Sequence, residues 1–222
     1  MLVAGIVSRV AASFDESVET RGRPRLRSDD EILHAALLAF AKDGYQGMSL
    51  RTLNSDMGLS RGTINQRFGS KEQLWYAAVD HGFQALIDDI NTELADQRAP
   101  ADELSELRAF FRAFLKASAR RPELVRLMNH EGLHPTDRLD HIMSRFTFPA
   151  MEKPLQAMSR LATAGRLRMV PARTLHSLLA HGAAAPFTLG PLSATFDPID
   201  GPLDTAAHID LVTDIIMRGL ST

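Results

Sequence analysis

Cysteine is absent from the 222 residues. Disulfides, thiol nucleophiles and cysteine-ligated zinc or iron–sulfur centres are thereby excluded, although a chain without cysteine is compatible with any compartment. No stretch approaches the roughly 18 consecutive apolar residues that a membrane-spanning helix needs. Neither sign of charge predominates, the net being −2, so bulk charge points to no nucleic-acid partner. Neither a phosphate-cradling G-x-x-x-x-G-K nor a dinucleotide-type G-x-G-x-x-G run occurs, which leaves out two common nucleotide-binding motifs.

What is present is an ordinary globular composition, 45% apolar and 23% charged, with enough length to bury a substantial core. The charge is unevenly placed. Between Arg21 and Lys71 nine Lys or Arg face five Asp or Glu, whereas the remainder holds sixteen basic and twenty-two acidic residues. A locally positive segment on an acidic body suits a DNA-reading head that avoids non-specific adhesion to phosphate.

Spacing within that segment is consistent with a helix-turn-helix. Ser49 is placed to cap a short helix whose apolar residues Leu50, Leu53 and Met57 share one face. Gly58 stands where a left-handed residue ends a helix, and Leu59 can plug the turn. Ser60 can then cap a second helix with Ile64 and Phe68 inward. Two short helices joined by a Gly-containing turn make the unit. The residues left to project from the second helix are Arg61, Gly62, Thr63, Asn65, Gln66 and Arg67, a donor-rich set with no carboxylate. Arg can read guanine, Asn or Gln adenine, and the Thr methyl a thymine methyl, while Gly62 lets backbone approach closely.

The run GLSRGTINQRFGSKEQLW resembles the signature of TetR/AcrR-type transcriptional regulators, matching at Gly58, Ser60, Gly62, Thr63, Ile64, Phe68, Ser70, Lys71, Glu72 and Leu74. The chain departs from that pattern at Asn65, where the family usually has Tyr, and at Asn54 and Met57, where it usually has small Ala. The resemblance implies an all-α fold, with an N-terminal helix-turn-helix domain followed by a helical ligand-binding and dimerisation domain. It also implies a DNA-contacting side chain at Arg51 and a phosphate contact at Lys71, and a body that senses a small molecule. On physical grounds Lys71 also lies in the first turn of a helix, where an anion is favoured.

The flanks complete the organisation. Residues 1–27 are expected to be a disordered leader ending in a basic arm, where Arg21, Arg23, Arg25 and Arg27 alternate with Gly, Pro and Leu; such an arm can lie in a minor groove or serve as a solvated tail. Residues 28–69 form the head, opened by a Ser28/Glu31 capping box, and residues 70–222 the body, opened by Ser70 and Gln73 and a long helix to about Ala95. Pro149 and Pro154 should kink or divide a helix between about Thr136 and Ala164, Gly190–Leu203 should be irregular, and a last helix should run from about Asp204 to Gly219.

In the body, Phe111, Phe114, Met128, Met143, Phe146, Phe148, Met151, Met158 and Phe187 are candidates to line an apolar cavity. His130, His134, His176 or His181 would be its polar anchors. His130, His134 and His141 lie close in sequence, which raises the alternative of a small metal-dependent enzyme, although Gly132 and Pro135 argue against one regular helical turn there. A helical interaction module without a DNA role is the other alternative. The main expectation is a homodimeric, cytoplasmic, ligand-responsive repressor bound to a double-stranded operator, without catalytic residues, metal or cofactor. The helices opened by Pro171 and Asp204 would make its interface.

Overall fold

The computed structural model describes residues 27–96 and 102–222. The leader, Arg21, Arg23 and Arg25 lie outside the described residues, as does the link at 97–101. Among the described residues the regular structure is helical throughout, apart from one isolated antiparallel bridge between Leu167 and Ser221.

Helix α1 (Asp29–Gly47) starts at the expected capping box: Glu31 N–H donates to Ser28 Oγ at 3.1 Å, and Ser28 N–H donates to Glu31 Oε2 at 2.8 Å. It breaks at Gly44, whose φ of 68° is left-handed. Helix α2 (Leu50–Asp56) is capped by Ser49, whose hydroxyl accepts from Thr52 N–H. The chain then turns through Gly58, with φ of 66°.

Helix α3 is shorter than expected. It spans Thr63–Phe68, and Gly62, with φ of 86°, stands at its N-cap. Ser60 therefore does not cap it; its hydroxyl pairs with that of Thr63 at 2.7 Å. Arg61 and Gly62 accordingly belong to the turn that leads into the helix. Helix α4 (Lys71–Ala95) begins at a Ser70/Gln73 capping box and runs for 25 residues.

Helix α5 (Glu103–Arg120) is capped by Asp102, which also pairs with Arg166; these bonds hold its carboxyl down at about 2. Pro122 opens α6 (Pro122–Glu131), where its missing N–H costs nothing. Helix α7 (Asp137–Ile142) passes through a π-turn at Met143–Thr147 into α8 (Phe148–Thr163). That widened turn accommodates Pro149, and Pro154 is carried inside α8. Helix α9 (Ala172–Ser177) runs on into a second π-turn, Leu178–Ala183.

After the single turn α10 (Ala185–Thr188), the stretch expected to be irregular carries two short turns of helix, α11 (Gly190–Ala194) and α12 (Asp197–Asp200). Each of these three turns has a proline at its start, where the missing N–H removes no helical hydrogen bond. Helix α13 (Thr205–Leu220) is capped by Asp204 and fastened to α5 by ion pairs of Arg108 with Asp214 and Arg112 with Asp210.

One core joins the head to the first helices of the body. Ile32, Leu37 and Phe40 of α1, Leu53, Ile64, and Leu74, Trp75 and Val79 of α4 pack continuously with Leu124 and Leu127 of α6, Ile142 and Phe146. Gly82 makes this possible: a Cβ there would stand 2.5 Å from Leu37 Cδ2 and 3.0 Å from Leu124 Cδ2. A second core sits between α5, α8, α9 and α13, around Leu107, Phe111, Met158, Leu175 and Met217.

Candidate nucleic-acid interface and body cavity

Burial of Ile64 beneath α3 turns Arg61, Asn65 and Gln66 outward, and all three are exposed. Arg51 is exposed on α2, while Thr63 and Gly62 are half-buried. Gly62 meets no neighbour within 4 Å, so its role is the left-handed backbone itself, in addition to any close approach.

Two residues expected to project are engaged inside the head. Arg67 donates to the Arg27 carbonyl at 2.7 Å and pairs with Asp29 at 3.3 Å, so it folds back onto the start of α1. Arg27 pairs with Glu31 at 3.1 Å. Lys71 Nζ donates to the Gln46 carbonyl at 3.3 Å and lies 5.0 Å from the Tyr45 ring centre. Burial, and then the Arg138 guanidinium, pull its pKa down. It ties α4 to the end of α1.

Asn54 holds the second helix in place. It is 6% exposed; its Nδ2 donates to the Leu50 carbonyl at 2.8 Å and its Oδ1 accepts from Ile64 N–H at 3.3 Å. Helix α3 has no side-chain cap of its own, so a residue of α2 takes over part of that function. A polar residue on the inward side of α2 was the available signal.

The run Gly58-Leu59-Ser60-Arg61-Gly62 has the G-x-S-x-G spacing of a nucleophile elbow. It lies between two helices, however, where an elbow joins a strand to a helix. Among the described residues no group of three or more His, Asp or Glu is arranged to hold a metal. His130 and His134 are exposed, with His130 lying against Gly44. His141 pairs with Asp80 at 2.6 Å on α4.

A cavity of about 90 Å³ opens among α4, α5, α6, α8 and α9. Phe114, Met128, Phe146, Met151, His176 and His181 line it. Six expected lining residues lie elsewhere and a seventh does not reach the wall; Met158 is buried in the second core, and Phe148, at the start of α8, is exposed. Phe111 is fully buried in the second core, and Phe187 stacks edge-on against His208. His130 and His134 face solvent, because α6 ends at Glu131, beyond the cavity. Met143, at the start of the π-turn, is not in the wall, where Phe146 and Thr147 of that turn are. Unforeseen lining residues include Phe83, Phe110 and Ser118. Both π-turns border the cavity, a placement typical of functional sites.

Residues 32–78 match the family model described as "Bacterial regulatory proteins, tetR family". The chain is 44% identical over 61 residues to the HTH-type transcriptional repressor AcnR of Corynebacterium efficiens, covering 28% of this chain and 32% of that one. It is 32% identical over 111 residues to the HTH-type transcriptional repressor NicS of Pseudomonas putida, covering 49% and 50%. These matches thus span between a third and a half of the relatives' length. Among solved structures, a tetR-family bacterial regulatory protein from Rhodococcus RHA1 superposes with a TM-score of 0.62 at 18% identity, over 88% of this chain and 98% of that one. The head thus matches the tetR family of bacterial regulatory proteins by sequence, and the described length shares the fold of solved structures from that family.

Proposed function

We propose that the chain is a sequence-specific DNA-binding regulator that acts as a homodimer, represses transcription, and leaves its operator when a small molecule fills the body cavity. The observation that carries this is the exposed set of Arg61, in the turn before α3, and Asn65 and Gln66 on α3, a surface without a carboxylate, with Arg51 on α2. A helix of six residues contacts too few bases to select a site alone. Two heads about 34 Å apart would share the readout, one in each of two successive major grooves. The outer face of α13 supports pairing, since Leu211 is 60% and Ile215 59% exposed. The repressor reading draws on the names of AcnR and NicS.

Release by a ligand draws on the shared core. Phe83, Leu124 and Phe146 line the cavity and also belong to the cluster that holds Ile32 and Phe40 of α1. A ligand that moves them moves the packing of the head, and weakens DNA binding to the extent that it prefers the shifted state. The test is selection of bound genomic fragments followed by fluorescence anisotropy on a selected site. Arg61→Ala should weaken that complex by about 1–3 kcal/mol and relax its sequence preference. An equal loss on random DNA would show a phosphate contact only and refute base reading.

A further inference from the structure

The cavity's chemistry restricts what it can hold. At about 90 Å³, and with a water-sized group needing roughly 10–15 Å³, it takes roughly six to nine such groups. Its wall is mostly Phe, Leu, Ile and Met. The polar exceptions differ in how they are engaged. Arg121, the one formally charged lining residue, gives its Nε to Asp89 at 2.7 Å. His176 and His181 face each other with ring centres 5.5 Å apart, and burial, then His181, lower the His176 pKa and keep that ring neutral.

Ser118 is different. It is 1% exposed on α5, lines the cavity, and its hydroxyl has no hydrogen-bond partner among the described residues. A serine inside a helix ordinarily bonds back to a carbonyl one turn earlier, and an unpaired buried hydroxyl costs free energy. A carboxylate entering this space would approach Asp89 and find its one fixed counter-charge already paired.

We infer that the cavity takes a slim apolar molecule, uncharged along its buried length, with one hydrogen-bonding oxygen that meets the Ser118 hydroxyl. This rests on the effector reading above and names its ligand class.

Calorimetric titration of the full chain at pH 7.5 with methyl hexyl ketone and with octanoate, equal in carbon count and differing in charge, tests it. The ketone should bind at least about tenfold more tightly, because burying an unpaired carboxylate is costly. Ser118→Ala should weaken the ketone about three- to tenfold, the worth of one hydrogen bond. The same change should leave the Tm of the ligand-free protein unchanged or raised, since it removes an unpaired polar atom. Ala180→Leu, which fills the cavity wall, should abolish binding of the ketone.

Octanoate binding as tightly as the ketone would overturn the inferred class, and ketone affinity indifferent to Ser118→Ala would overturn the anchor. The effector reading is tested separately, by operator release. Release by octanoate from the wild type but not from Ala180→Leu would keep that reading while sinking the inference. Absence of binding and of release by both probes would end both.

Discussion

Replacing Asn54 by alanine tests whether α3 is held by a polar contact from the helix before it. The amide makes two bonds, to the Leu50 carbonyl and from Ile64 N–H, in a site that is 6% exposed. The Leu50 carbonyl keeps the main-chain bond of its own helix, so its loss is small. Ile64 N–H lies in the first turn of α3, where no earlier carbonyl is available, and Ile64 itself is 1% exposed. Leaving that donor unpaired costs about 1–3 kcal/mol, and capping losses fall in the same range. A net loss of about 1–2 kcal/mol follows, equivalent to roughly 2–8 °C in Tm for a chain of this size. Because α3 is only six residues long, the loss should also loosen the reading surface and lower operator affinity. Ala109→Gly, in the middle of α5, costs about 1 kcal/mol and serves as a control distant from the head. Thermal melts and anisotropy on the selected site are to be compared across the three proteins. The reasoning fails if Asn54→Ala melts within about a degree of wild type, or if it loses no more DNA affinity than Ala109→Gly.

Two further outcomes concern the body. Gly82→Ala would place a methyl 2.5 Å from Leu37 Cδ2, and Leu37 is itself 1% exposed in the core. Overpacking of about 1–3 kcal/mol exceeds the gain of up to about 1 kcal/mol from helix propensity, so Tm should fall; a rise would show that α1, α4 and α6 yield easily. For His176, burial and then His181 depress the folded pKa, so the unfolded chain takes the proton first as pH falls. Stability from the neutral ring is present above about pH 6.5 and is lost as pH drops toward the folded value. His176→Gln should therefore lose less Tm than wild type between pH 7.5 and pH 5, and parallel curves would contradict the assignment.

The features legible in the sequence were those that depend on residues near one another along the chain. Capping boxes at Ser28/Glu31 and Ser70/Gln73, the left-handed turn at Gly58 and the proline that opens α6 are each local, and the structure has all of them. The inward position of Ile64 follows from helical period alone. What periodicity gives for an exposed position is only the direction of a Cα–Cβ bond, and a long side chain can leave that direction. Arg67 points from α3 as its spacing demands, yet its guanidinium reaches back to the carbonyl of Arg27, forty positions earlier. Lys71 is likewise drawn to Gln46 and Tyr45. Neither partner is discernible from local spacing, because each comes from the way the start or end of α1 meets a later helix.

The cavity was harder for the same reason, compounded by composition. Aromatic and methionine side chains look alike whether they fill a core or border a space, so Phe111 and Phe114, three residues apart on α5, could not be told apart before the packing of α8 and α9 was known; the first is fully buried and the second lines the opening. His130 and His134 are near the cavity residues only along the chain, because α6 ends at Glu131, where its carboxylate receives Arg138 Nε at 3.0 Å. Arg138 in turn lies 3.9 Å from the Tyr45 ring centre, so the end of α6 is committed to the head, and His130 and His134 are carried outward with it. The residue with the most direct chemical consequence, Ser118, gave no signal at all. A serine among the Ala, Phe, Leu and Arg of α5 is an ordinary neighbour until the carbonyls around it are accounted for, and its unpaired hydroxyl becomes informative only when the apolar wall beside it is known.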